Sequence, residues 1–129
     1  MDELYTETIL DHFQYPRHRG QLTCPDARIT EHNPLCGDTI HLDVSWDGGA
    51  RLFDLAFTGQ GCAISQAALS LLSDTIIGKT PEEIERVSFS DVQKLLGVVL
   101  APARAPCALL GLAALKKAAI LHRARLCKQ

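Results

Sequence analysis

Apolar and polar residues alternate from Thr39 to Trp46, with Ile40, Leu42, Val44 and Trp46 on one side and Thr39, His41, Asp43 and Ser45 on the other. A period of two predicts a half-buried strand. Asp47-Gly48-Gly49 supplies a turn that tolerates positive φ, and 51–58 resumes the alternation with Phe53, Leu55 and Phe57 on one face. The two strands predict a hairpin. Weaker alternation over 27–32 predicts a third antiparallel strand at the sheet edge. Upstream, Tyr5, Ile9 and Phe13 recur four apart, one stripe of an amphipathic helix over 2–13 that ends before Pro16. A loop over 16–21 follows.

Beyond Cys62 the period lengthens. Ile64, Ala67, Ala68, Leu71, Leu72 and Thr75 follow helical spacing up to a terminator at Gly78. Thr80-Pro81-Glu82-Glu83 reads as a helix start: an N-cap, proline at the first helical position, then acids beside the positive end of the helix dipole. Residues 88–96 predict a further short helix, opened by Ser88 or Ser90 and stopped near Gly97. A long helix over 107–125, rich in Ala, Leu and Lys, buries one wide face. Trp46 and the phenylalanines read as core. No internal repeat or linker interrupts the chain. The expected fold is α+β, a small three-stranded antiparallel sheet with helices packed on one face, forming a single domain over 1–129.

Composition narrows the functions. The chain has 129 residues, 47% hydrophobic and 22% charged, with a net charge of −2. That size supports one core, and the charge gives no overall basic field for nucleic acid or an anionic membrane. The basic stretches at 17–19 and 116–128 are short and read as solvated faces or as a partner-docking edge. No segment is expected to reach the roughly 18–20 apolar residues that span a bilayer. The acidic Met1-Asp2-Glu3-Leu4 start lacks the layout of a secretory signal. The expected compartment is the cytoplasm, where thiols stay reduced. Five cysteines are an odd number, which favours ligand or reactive roles over a complete disulfide set.

Three of the five share a setting. Cys36 lies in Asn33-Pro34-Leu35-Cys36-Gly37-Asp38 ahead of the strong strand. Cys62 lies in Gly59-Gln60-Gly61-Cys62 at a helix start, and Cys107 follows Pro106 at the start of the last helix. Helix N-termini stabilise thiolate, the form that binds metal and attacks sulfur. Flanking glycines leave room beside the sulfur. Asp38, two residues after Cys36, is placed to add an oxygen ligand. Three thiolates and one carboxylate suit zinc or an iron–sulfur centre, and the carboxylate is the more exchangeable ligand. The gaps of 26 and 45 positions match no zinc-finger spacing. Read by spacing alone, the alternative of three buried thiols acting as small hydrophobes stays open.

The run Asn33 to Asp38, the run Phe57-Thr58-Gly59-Gln60-Gly61-Cys62-Ala63-Ile64-Ser65 and the run Pro102-Ala103-Arg104-Ala105-Pro106-Cys107-Ala108 together resemble the IscU/NifU N-terminal family of iron–sulfur cluster assembly proteins. Leu4-Tyr5, Ile9 to Phe13, Pro16-Arg17 and Gly20 match as well. The Gly-Cys-Ala-Ile-Ser run and the Pro-Ala-Arg lead into Cys107 look most like the SufU branch. The resemblance implies the family's IscU/SufE-like fold and a scaffold or carrier that accepts sulfur from a cysteine desulfurase. It implies that Cys36, Asp38, Cys62 and Cys107 hold a labile [2Fe–2S] cluster or metal ion for delivery to apo acceptor proteins.

SufU members hold zinc with the same set, which implies a second function, a zinc-dependent sulfurtransferase with Cys107 as persulfide acceptor. Arg104, three residues before it, is the candidate to support that sulfur. A structural zinc module is the third reading. IscU members carry histidine where this chain has Pro106, and a Leu-Pro-Pro-Val-Lys chaperone segment where it has Leu100-Ala101-Pro102-Ala103-Arg104. Docking of the specialised Hsp70 is therefore not carried over. The gap before Cys107 is too short for the SufU insertion. Cys24 and Cys127 match no ligand position and read as bystander thiols. His12, His41 and His122 read as packing or surface residues.

Overall fold

The computed structural model describes residues 7–34, 37–48 and 51–127, and side chains as far as position 124. Elements follow in the order α1 (Glu7–Gln14), β1 (Ala27–Asn33), β2 (Asp38–Asp47), β3 (Arg51–Gln60), α2 (Ala63–Ile76), α3 (Pro81–Glu85), α4 (Phe89–Leu96) and α5 (Ala105–Cys127). The strands form one antiparallel sheet in the order β1-β2-β3. This is the expected α+β arrangement, with β1 at an edge. The start proposed for the first helix, including Tyr5, lies outside the described residues, as does Gly49 of the hairpin turn.

Alternation along β2 does what its period requires. Ile40, Leu42, Val44 and Trp46 are buried under the helices, while His41 on the opposite face is exposed. Each such burial contributes roughly 1.5–3 kcal/mol. α5 lies across β1 and β2 and packs beside α2. Against expectation, Phe53 is 66% exposed, and the buried set on β3 is Leu52, Leu55, Ala56 and Phe57. The ladder explains this: Ser45 pairs with Asp54 but Trp46 pairs with Leu52, leaving Phe53 as the extra residue of a bulge. Phe13, at 37% exposed, also departs from the expected core.

The loop after α1 contributes an edge that alternation does not announce. The Gly20 N–H donates to the Phe57 carbonyl at 2.8 Å and the Phe57 N–H to the His18 carbonyl at 2.9 Å. The free side of β3 is thus partly covered. Capping follows the sequence closely. Thr80 with Glu83, and Ser88 with Asp91, form reciprocal capping boxes, and Gly97 closes α4 at φ 76°.

One expectation about length is corrected. The stretch Ala105–Ala124 has a mean hydropathy of 1.3 and is long enough to cross a membrane by length and composition. Part of it faces the core, with Ala108, Ala114, Leu115, Ala118 and Ala119 all at most 1% exposed, while Ile120 and Leu121 near its end are exposed. A central helix covered on the sheet side and the α2 side needs apolar residues around most of its girth. The buried part of the apolar run thus belongs to the core of the fold.

Candidate metal centre

Sheet register builds the site. Thr39 pairs with Gln60, so the first residue of β2, Asp38, lies beside the Gly61-Cys62 junction that leads from β3 into α2. Asp38 is 2% exposed. Cys62 is the N-cap of α2 in extended conformation, and its side chain makes no capping hydrogen bond. Instead its N–H donates to Asp38 Oδ1 at 3.1 Å, and its thiol donates to Asp38 Oδ2 at 3.5 Å. The Ser65 hydroxyl, one turn into α2, donates to the same Oδ2 and lies 3.5 Å from Cys62 Sγ.

Gly61 permits this approach. A Cβ there would fall 2.0 Å from Asp38 Oδ1, and its φ of +140° is one that side chains rarely adopt. Cys107, third residue of α5, comes from the far end of the chain. A turn precedes it, in which the Arg104 N–H bonds the Ala101 carbonyl at 2.8 Å and the Cys107 N–H bonds the Arg104 carbonyl at 3.1 Å.

The ligating atoms of Asp38, Cys62 and Cys107 lie within 4.8 Å of one another. Tetrahedral zinc with thiolate and carboxylate ligands sets its donors about 3.3–3.8 Å apart. Side-chain shifts of about 1 Å therefore suffice for the three to share an ion. Two sulfurs and one oxygen, largely withdrawn from water, are a donor set suited to zinc or iron.

Of the four ligands expected from the sequence, three come together, while Cys36 lies outside the described residues. Cys107 is 6% exposed, whereas Cys62 is half-buried. Arg104 is half-buried at the mouth of the turn before Cys107. Cys24 is exposed and stands apart from the cluster. The side chain of Cys127 is outside the described set.

The histidines do not join the site. His12 is buried and its Nδ1 meets Ser70 Oγ at 2.7 Å. His41 pairs with Thr30 across the outer sheet face at 3.0 Å. His122 stacks on Trp46, with centroids 4.3 Å apart and planes 4° from parallel. Ser65 was not singled out by sequence reasoning, since a serine among helix-spaced residues reads as filler. The usable signal was its place three residues after an N-cap that lacks an oxygen side chain.

The sequence model for the NifU-like N terminal domain matches residues 4–129. The chain belongs to this family. Among the relatives of this NifU-like domain is the iron-sulfur cluster assembly scaffold protein IscU of Streptococcus pyogenes serotype M1. It is 36% identical over 92% of this chain and 84% of its own length. The zinc-dependent sulfurtransferase SufU of Bacillus subtilis (strain 168) is 34% identical over 91% and 90% respectively. A crystal structure described as a putative iron-sulfur cluster assembly scaffold protein for the SUF system from Fervidobacterium islandicum AW-1 superposes with a TM-score of 0.76. It shares 28% identity over 88% of this chain and 95% of that one. The family's two functional themes, cluster scaffolding and zinc-dependent sulfur transfer, both have relatives at similar distance.

Proposed function

We propose that this chain, acting as a single domain over 1–129, is a cytoplasmic carrier of iron–sulfur cluster assembly. It accepts sulfur from a cysteine desulfurase, holds a labile [2Fe–2S] cluster or metal ion through Cys36, Asp38, Cys62 and Cys107, and passes its cargo to apo acceptor proteins. One observation carries the reading: Asp38, Cys62 and Cys107, distant in sequence, bring their ligating atoms to one corner. The carboxylate suits a carrier because it exchanges more readily than a thiolate. Anaerobic reconstitution with iron and sulfide should give visible absorbance in wild type and none in Cys36→Ser, Cys62→Ser or Cys107→Ser. A colourless wild type that retains zinc tightly would overturn the cluster role.

A second reading, zinc-dependent sulfur transfer, is favoured by the Bacillus subtilis relative and by Pro106, which offers no ligand beside Cys107. In it, the Cys107 thiolate attacks the outer sulfur of the desulfurase persulfide. A new S–S bond forms on Cys107, and the desulfurase cysteine leaves as thiolate. A bound zinc ion would supply charge that keeps the thiols deprotonated at neutral pH. Arg104, in the turn just before Cys107, would steady the persulfide anion. The turn must move for this step, because Cys107 is nearly enclosed while Cys62 is more open. Desulfurase turnover should rise on adding zinc-loaded protein and stay flat with Cys107→Ala. If Cys62→Ala alone abolishes the stimulation, the acceptor is Cys62. The Leu100 to Arg104 segment lacks the family's chaperone sequence, so no Hsp70 step is included.

A further inference from the structure

α2 starts without a cap of its own. Cys62 at the N-cap makes no side-chain capping bond, and the first turn carries no acidic residue. Helix N-termini need an acceptor for their free N–H groups and favour negative charge. Both come from another strand: Asp38 on β2 accepts from the Cys62 N–H through Oδ1 and from the Ser65 hydroxyl through Oδ2. Ser65 and its neighbours from Ile64 to Ser70 are buried, and Ser65 is 0% exposed. A hydroxyl so placed must find a partner inside the protein. Its single proton goes to the carboxylate, which leaves the Ser65 oxygen facing the Cys62 thiol.

From this geometry we infer that Ser65 is the positioning residue of the metal centre, fixing the Asp38 carboxylate in a plane where Asp38 both caps α2 and faces Cys62 and Cys107. The inference rests on the metal-centre reading above. Held at both ends, the carboxylate is already oriented when an ion arrives. Without the Ser65 hydroxyl the carboxylate loses a buried hydrogen bond that fixes Oδ2. Loss of such an orienting hydrogen bond typically weakens metal affinity about 10–100-fold.

The test titrates Zn2+ alone into full-length protein stripped of metal, in competition with a chromophoric chelator. Wild type, Ser65→Ala, Asp38→Ala and the double variant are compared. Ser65→Ala should bind zinc about 10–100-fold more weakly. In the Asp38→Ala background the same change should alter affinity by no more than about threefold, because its route of action is gone. An equal loss in both backgrounds, or no loss in wild type, overturns the inference. If Asp38→Ala binds zinc as wild type does, the metal-centre reading falls and this one with it. If Asp38→Ala weakens binding and Ser65→Ala does not, Ser65 alone is dismissed.

A variant-free measurement guards against misfolding of Ser65→Ala. In isotopically labelled wild type, scalar coupling across the hydrogen bond from the Cys62 amide nitrogen to the Asp38 carboxyl carbon should be present without zinc. Its absence would overturn the capping arrangement.

Discussion

Gly61 and Asp38 approach so closely that a β-carbon on the glycine would sit 2.0 Å from the carboxylate oxygen Oδ1 and 2.4 Å from Cγ. Asp38 must shift to make room, which disturbs its hydrogen bonds from the Cys62 N–H and the Ser65 hydroxyl. Gly61→Ala should displace Asp38 and weaken zinc binding at least about tenfold. The backbone at φ +140° adds a strain of about 1–3 kcal/mol, visible as a lower urea midpoint. Zinc affinity equal to wild type in a folded Gly61→Ala protein would show that the carboxylate has another way to reach the ion.

Gly111 bears on the same site from a distance. A Cβ at Gly111 would lie 2.9 Å from Leu69 Cβ and 3.0 Å from Leu69 Cδ1, so glycine sets how closely α5 approaches α2. These are the helices that bring Cys107 and Cys62 together. Alanine gains up to about 1 kcal/mol of helix propensity, but overpacking of this kind costs about 1–3 kcal/mol. Gly111→Ala should therefore be net destabilising by up to about 2 kcal/mol, read as a lower urea midpoint with unchanged slope. A raised midpoint would mean that the helices separate without cost.

How much of this was readable beforehand depends on how local each cause is. The pattern of Ile40, Leu42 and Val44 needs only neighbouring residues, and so do Thr80-Pro81 and Ser88 at the helix starts. All of these stand as expected. Phe53 failed because a bulge is a mismatch between two strands, invisible in either one alone. The pairing of the 18–20 loop with Phe57 is similarly non-local. At the candidate metal centre, residue types and the family resemblance indicated Cys36, Asp38, Cys62 and Cys107, of which the last three converge among the described residues. Ser65 and the spatial demand on Gly61 arise only from packing β2 against the start of α2. His122 gave no sign in sequence that its ring would lie flat on Trp46.

Thiol chemistry should separate ligands from bystanders. Cys24 is exposed and outside the candidate ligand cluster, so Cys24→Ser should leave zinc affinity within about twofold of wild type, the scale of an ordinary surface substitution. In zinc-loaded protein Cys24 should react with an alkylating reagent before Cys62 or Cys107, and a chelator should then speed the reaction of those two. Mass spectrometry of the labelled peptides reads the order directly. Cys62 alkylated as fast as Cys24 with zinc bound would argue that its sulfur is not a ligand.

His12 makes the stability of α1 docking depend on pH in a defined direction. Its pKa lies below the ordinary imidazole value of 6.5, first because burial disfavours the charged ring and then because Arg17 is nearby, with Asp11 and Asp74 pulling the other way. The ring meets Ser70 Oγ, which also accepts the Arg17 N–H at 2.9 Å. The folded protein therefore holds His12 neutral at pH values where the unfolded chain is already taking up a proton. Stability from this residue is complete above about 6.5 and declines as pH falls below it, until the folded state is protonated too. In chelator-treated protein, the unfolding free energy from urea titrations should drop between pH 7.5 and 5.5, with a contribution from His12 no steeper than about 1.4 kcal/mol per pH unit. His12→Gln, which keeps a polar group near Ser70 without titrating, should flatten that part of the profile. An identical slope in wild type and His12→Gln would assign the dependence to other groups and leave His12 with a packing role alone.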